Sequence, residues 1–279
     1  MQDQESATDG RCIGSSETQV NAASPTIPPE ADHQFTGRLF LAPYVYPCLT
    51  RHGAVLLHLS RNKYYAINMG DVLYLNQLVA NWPASEGTAS AMGTSATVEA
   101  GSVTCLIQSL LEADVLRRTP PSRGGITCSR VSLDGLLASV GDEIIRKAPV
   151  RPTHITTFIF SLLSAASCLR YLPLKSTVEG VSRRKARWMS SGYGFNLEHV
   201  AELVFVFRKL RPYFFAAEGN CLLHALTLVK FLAIYREFPC WVFGVRTEPW
   251  GAHSWVQYGD YVLDTNPEKV CEYEPILAV

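Results

Sequence analysis

The chain has 279 residues, 47% hydrophobic and 18% charged, room for one large domain or two small ones with packed cores. Its 25 Lys and Arg balance 25 Asp and Glu, which argues against a dedicated nucleic-acid binder. No apolar run reaches the ~18 residues of a membrane span; the nearest, residues 155–169, is interrupted by Ser and Thr. The acidic start, MQDQESATDG, lacks the apolar segment of a secretory signal. A cytoplasmic protein without a membrane role is expected. Eight cysteines are spaced by 19 residues or more, so no CxxC metal or redox pair exists and reduced thiols are expected.

Residues 1–34 hold six acidic residues and one arginine among Ser, Thr, Gln and Pro. Such a composition predicts a disordered tail. From Phe35 the pattern becomes regular. Val55, Leu57 and Leu59 alternate as in a strand, residues 61–63 form a turn, and residues 64–67 resume as a second strand. Asn68 is placed to cap a helix with Val72, Leu75, Val79 and Trp82 on one stripe. After a small-residue loop over 84–95, Val103, Leu106, Ile107, Leu110, Leu111 and Val115 give the spacing of an amphipathic helix. Strands followed by helices over residues 35–118 predict a small α+β domain.

Residues 119–127, with paired prolines and glycines, read as a linker to a second domain over 128–279. There Leu133, Leu136, Leu137, Val140, Ile144 and Ile145 outline a helix, residues 155–172 another, and 195–210 a third. Between Arg123 and Arg187 stand eleven basic residues against four acidic ones, densest at residues 183–187. This is a solvated helix face or a surface for an acidic peptide. Cys221 then opens a strongly apolar helix behind Asn220, residues 240–245 form a strand, and residues 252–256 and 261–264 flank a Gly259-Asp260 hairpin turn.

Counting from that turn, Trp255 faces Asp264 and His253 faces Asn266, so all four share one face. His253 and Asp264 are then diagonal neighbours, roughly 7–8 Å apart. An imidazole oriented by a carboxylate serves as a general base, and Asn266 competes for the orienting role. Cys221, in the first turn of a helix, has the dipole that favours thiolate, and its N–H is placed for an oxyanion. The sequence offers no second oxyanion donor. Cys221, His253 and Asp264 are the candidate catalytic residues. No metal set and no Walker motif is visible, so no cofactor is expected.

Asn220-Cys-Leu, Gly244-Val-Arg, Gly251-Ala-His-Ser-Trp-Val and Val262-Leu-Asp together resemble the lasso-peptide maturation protease. The resemblance is specific over residues 220–264. Gln257 stands where that motif usually has Glu, and His224 where Arg is more frequent. The resemblance implies a transglutaminase-like, papain-related cysteine protease fold, with Cys221 as nucleophile, His253 as base and Asp264 as orienting acid. Residues 35–118 are similar to the RiPP recognition element, a winged-helix-like module that binds precursor leaders. By that likeness the leader adds as a strand beside Tyr64, Tyr65 and Ile67 and packs on the helix of Val103 and Ile107. The implied partners are the precursor peptide and a lasso cyclase similar to asparagine synthetase. The same triad also serves acyl transfer, and a vestigial triad would leave a leader-binding adaptor.

Overall fold

The computed structural model describes residues 38–83, 100–121, 126, 131, 133, 138–139, 149–189, 196–215 and 220–279. The expected tail over 1–34 and the loop over 84–95 lie outside them.

The N-terminal half builds β1 (Phe40–Leu41), β2 (Val45–Thr50), β3 (Gly53–His58), β4 (Lys63–Asn68), α1 (Met69–Leu78), α2 (Ala100–Glu112) and β5 (Leu116–Arg117). β1 pairs with β5, while β2, β3 and β4 form an antiparallel sheet with β3 in the centre. The sequence reading starts this sheet at Gly53 and omits β2. Pro47 inside the run hides it, and β2 tolerates that proline because it is an edge strand. Asn68 caps α1 as expected, its Oδ1 accepting from the Asp71 N–H at 2.9 Å.

β3 is buried along its whole length. Ala54 and Leu56 pack with Val72, Leu75, Val103 and Ile107 beneath the helices. Val55, Leu57 and Leu59 point the other way, into a cluster with Phe158, Phe207, Phe231 and Trp241. The two halves of the chain therefore share a core. Around it β2 lies against β10 (Glu274–Ala278), the Lys175 ammonium sits 3.5 Å from the Tyr44 ring centre, and the Ile126 N–H donates to the Tyr46 hydroxyl at 3.2 Å.

Gly53 opens β3 at φ +147°, and a Cβ there would lie 2.0 Å from the Ile67 carbonyl oxygen. Neither the backbone angle nor the partner strand can yield. Gly53→Ala is expected to cost about 2–4 kcal/mol in urea unfolding; a loss under ~1 kcal/mol would show that β3 and β4 part easily.

The C-terminal half adds β6 (Ala138–Ser139), α3 (Pro152–Tyr171), α4 (Leu174–Met189), α5 (Leu197–Phe214), α6 (Cys221–Ile234), β7 (Cys240–Thr247), β8 (Trp250–Tyr258), β9 (Tyr261–Val262) and α7 (Pro267–Val270) before β10. Its sheet runs β10-β7-β8-β9-β6. The helix expected across residues 133–145 is corrected at Ala138–Ser139, which pair in parallel with β9 instead. Most of that stretch lies outside the described residues. By length and composition alone α3 is apolar enough to cross a membrane. It is 20 residues long with hydropathy 1.3, and only 17% of its most apolar window is buried.

Candidate active site

α6 is the central helix of the C-terminal half. His224 to Val229, Phe231 and Leu232 are buried on it, and it packs across β8 and β7 within the cluster of Trp241, Phe243, Val245 and Val256. Cys221 is its first residue and is half-buried. The expected cap is absent: Asn220 precedes the helix at φ −105°, ψ 56°, and its side chain makes no capping bond. The neighbour that the sequence did not offer comes from β4. Tyr64 points into the shared core, edge-on to Trp250 with ring centres 5.7 Å apart. Its hydroxyl is pushed up to about 12, first by burial and then by the Cys221 thiol within electrostatic reach.

The hairpin forms at Gly259-Asp260 as read, with Gly259 at φ +52° and Tyr258 paired to Tyr261. The ladder then stops. Gln257 pairs with Val262 and Leu263 N–H donates to Val256 O, but the Val256 N–H turns to the Asp264 carboxylate at 2.9 Å. Asp264 thus caps the end of the ladder, which corrects the expected diagonal bond to His253. Burial pushes its carboxyl up to about 7, with the Val256 N–H and then the Arg211 and Arg208 charges pulling in the opposite direction. Arg208 also donates to the Leu263 carbonyl at 3.1 Å and so fixes the chain just before it. These two arginines, three apart on α5, were not singled out from the sequence. Their spacing on the helix was the available signal.

His253 lies opposite Gly244. Gly244 is required there, because a Cβ would fall 2.6 Å from Trp255 and 3.0 Å from Tyr273. The imidazole stacks in the same layer, 6.2 Å from the Trp255 ring and 5.2 Å from Tyr273. That layer, with Val242, Val262 and Val270, is on the face of the sheet opposite to the one α6 covers. Both ring nitrogens are buried and lack a hydrogen-bond partner among the described residues. Burial, then the charges of Lys269 and Arg246, lower the imidazole to about 4. In this setting the imidazole is held neutral and its protonation is disfavoured, and it stands across β8 from the helix that carries Cys221. His224, one turn into α6, is likewise lowered to about 4 by burial and Arg211, and packs on Phe215 with ring centres 4.0 Å apart.

The residues considered for peptide contact also divide. Tyr65, Ile67, Val103 and Ile107 belong to one cluster beneath the helices; Tyr64 faces away from it. Val103 and Ile107 are only 6% and 1% exposed, so both are core as they stand. β4 is nonetheless an edge strand of its sheet among the described residues. No group of three or more His, Cys, Asp or Glu able to hold a metal occurs among the described residues.

Residues 165–278 match the family model of the Transglutaminase-like superfamily. No curated protein and no solved structure gives a significant match to the chain. The matched stretch begins within α3 and ends in β10, so it holds α6, the strands that follow it and all three candidate catalytic residues. Such a domain fits a cysteine protease or an acyltransferase. Residues 165–278 are therefore a transglutaminase-like superfamily domain, opening its strand region with a cysteine-headed helix.

Proposed function

We propose that this protein is a cysteine endopeptidase that removes the leader from a lasso-peptide precursor. The observation that carries the reading is Cys221 at the head of the buried helix of a transglutaminase-like domain, followed in chain order by His253 and Asp264. Cys221 attacks the scissile carbonyl, giving its proton to His253. The imidazolium then protonates the departing amine, and water hydrolyses the thioester. Orienting the base requires Asp264 to release the Val256 N–H that it holds at rest, and the N–H of Cys221 at the helix start faces the oxyanion. Residues 35–118 act as the leader-recognition domain, joined through 119–127 to a protease domain over 128–279. The leader adds as a strand on the free edge of β4, with Tyr65 and Ile67 on the helix side and Tyr64 on the cysteine side. A strand held there raises the local concentration of the scissile bond. The freed core passes to a cyclase similar to asparagine synthetase.

This chemistry needs His253 on the α6 side of β8. Side chains alternate along a strand, so a one-residue slip of β8 would exchange its faces. One observation favours a second reading, a leader-binding adaptor without catalysis: in the resting arrangement the imidazole and the thiol-bearing helix lie on opposite faces of the sheet.

The precursor should be incubated with the wild-type protein, His253→Ala and His224→Gln, and followed by intact mass spectrometry. A single cut that is lost in His253→Ala and kept in His224→Gln supports the endopeptidase. Cutting that survives His253→Ala removes His253 as the base. Binding without cutting by the wild type leaves the adaptor, and products joined to an added amine reveal acyl transfer.

A further inference from the structure

A second candidate site lies at the far end of α6. α3, α4 and α6 border an open cavity of about 390 Å³ lined by Arg183, Arg184, Arg187, Lys230, Thr177 and Phe238 among others, with no carboxylate among the described residues of its wall. Lys230 is the one Lys or Arg on α6 and is half-buried. Its ammonium rests on Ser164 Oγ at 3.0 Å and Cys168 Sγ at 3.4 Å, and no ion pair to it is formed among the described residues. A half-buried cation without a counter-charge is costly unless something negative visits it.

We propose that this cavity binds a phosphate-bearing small molecule. Arg183, Arg184, Arg187 and Lys230 gather four positive charges around one cavity. Planar guanidinium forks match phosphate oxygens in pairs. Val181, Val229 and Phe238 give the apolar wall against which the body of such a ligand would rest, and the volume falls within the ~300–1,000 Å³ of small-molecule pockets. Lys230 lies nine residues from Cys221 on α6, about 14 Å along the helix axis. The ligand is therefore no substrate of the cysteine but a separate occupant. Its binding does not depend on whether the chain is a peptidase.

The test is calorimetry on the full-length protein with pyrophosphate, ADP and glutarate. Gly180 lines the cavity and a Cβ there meets nothing within 4 Å, so Gly180→Phe fills the space without removing a charge. Pyrophosphate and ADP are expected to bind the wild type, to bind Lys230→Met at least tenfold more weakly, and to be excluded by Gly180→Phe. Circular dichroism checks that both variants are folded. No heat at millimolar pyrophosphate overturns the proposal, as does binding that both variants retain. Glutarate binding as tightly as pyrophosphate overturns the phosphate assignment. Cleavage is not read at any point, so failure here is distinct from failure of the peptidase reading.

Discussion

Cys221→Ala is expected to abolish precursor cleavage, by ~10⁴-fold or more, while leader affinity stays within about twofold of the wild type. Alanine has the highest helix propensity, so α6 keeps its first turn. The side chain it replaces is half-buried at a helix start rather than inside the core, which limits the change in stability to about 1 kcal/mol. Leader binding would use the main chain of β4, which the substitution leaves in place. Mass spectrometry and fluorescence anisotropy on the same preparation separate the two effects. Residual cutting within tenfold of the wild type would refute Cys221 as nucleophile. Joint loss of cutting and binding would instead show that the thiol holds β4 in place through the Tyr64 side.

Asp264→Asn should stabilise the fold above neutrality and leave it nearly unchanged in acid. Asp264 is partly exposed as a residue, but its carboxyl group is turned inward and titrates near 7 rather than 3.8. Below about pH 4 both folded and unfolded chains carry the proton, so the group contributes no difference. Between 4 and 7 the unfolded chain releases the proton while the folded one holds it. Above 7 the folded state carries the whole penalty of a buried charge, at most on the order of 4 kcal/mol. The advantage of the Asn variant therefore grows as pH rises from 4 to 7 and is flat beyond about 8. The Asn Oδ1 can still accept the Val256 N–H. Urea unfolding at pH 5 and pH 8 measures it. An advantage that is equal at both values, or that shrinks with pH, would mean that the carboxylate is ionised in the folded state throughout.

What the sequence could show was what local rules determine. β3 and β4, the Asn68 cap, the Gly259-Asp260 turn and a helix headed by Cys221 all rest on periodicity or turn chemistry within a few residues. Ala138–Ser139 escaped because their strand forms only by pairing with β9, more than a hundred residues later. The site failed to assemble on paper for a related reason. Counting from the hairpin places His253 and Trp255 on one face of β8, and they do share it. Alternation cannot say which face the helix covers, and α6 lies on the other one. Nor could it foresee that Asp264 would spend its carboxylate on the Val256 N–H. Tyr64 illustrates the same limit from the opposite direction. Adjacent to Tyr65 in the chain, it reaches the cluster of the C-terminal half only because both sides of its sheet are covered.

That double covering has a consequence for how the protein can be divided. Here, splitting the chain near residue 120 would strip Val55, Leu57 and Leu59 on one side and leave a hole beside Phe158, Phe207 and Trp241 on the other. Each fragment would present a sticky sheet face or an open core. The two halves thus complete each other's interior, and a peptide seated on β4 would act on α6 through the cluster that both line.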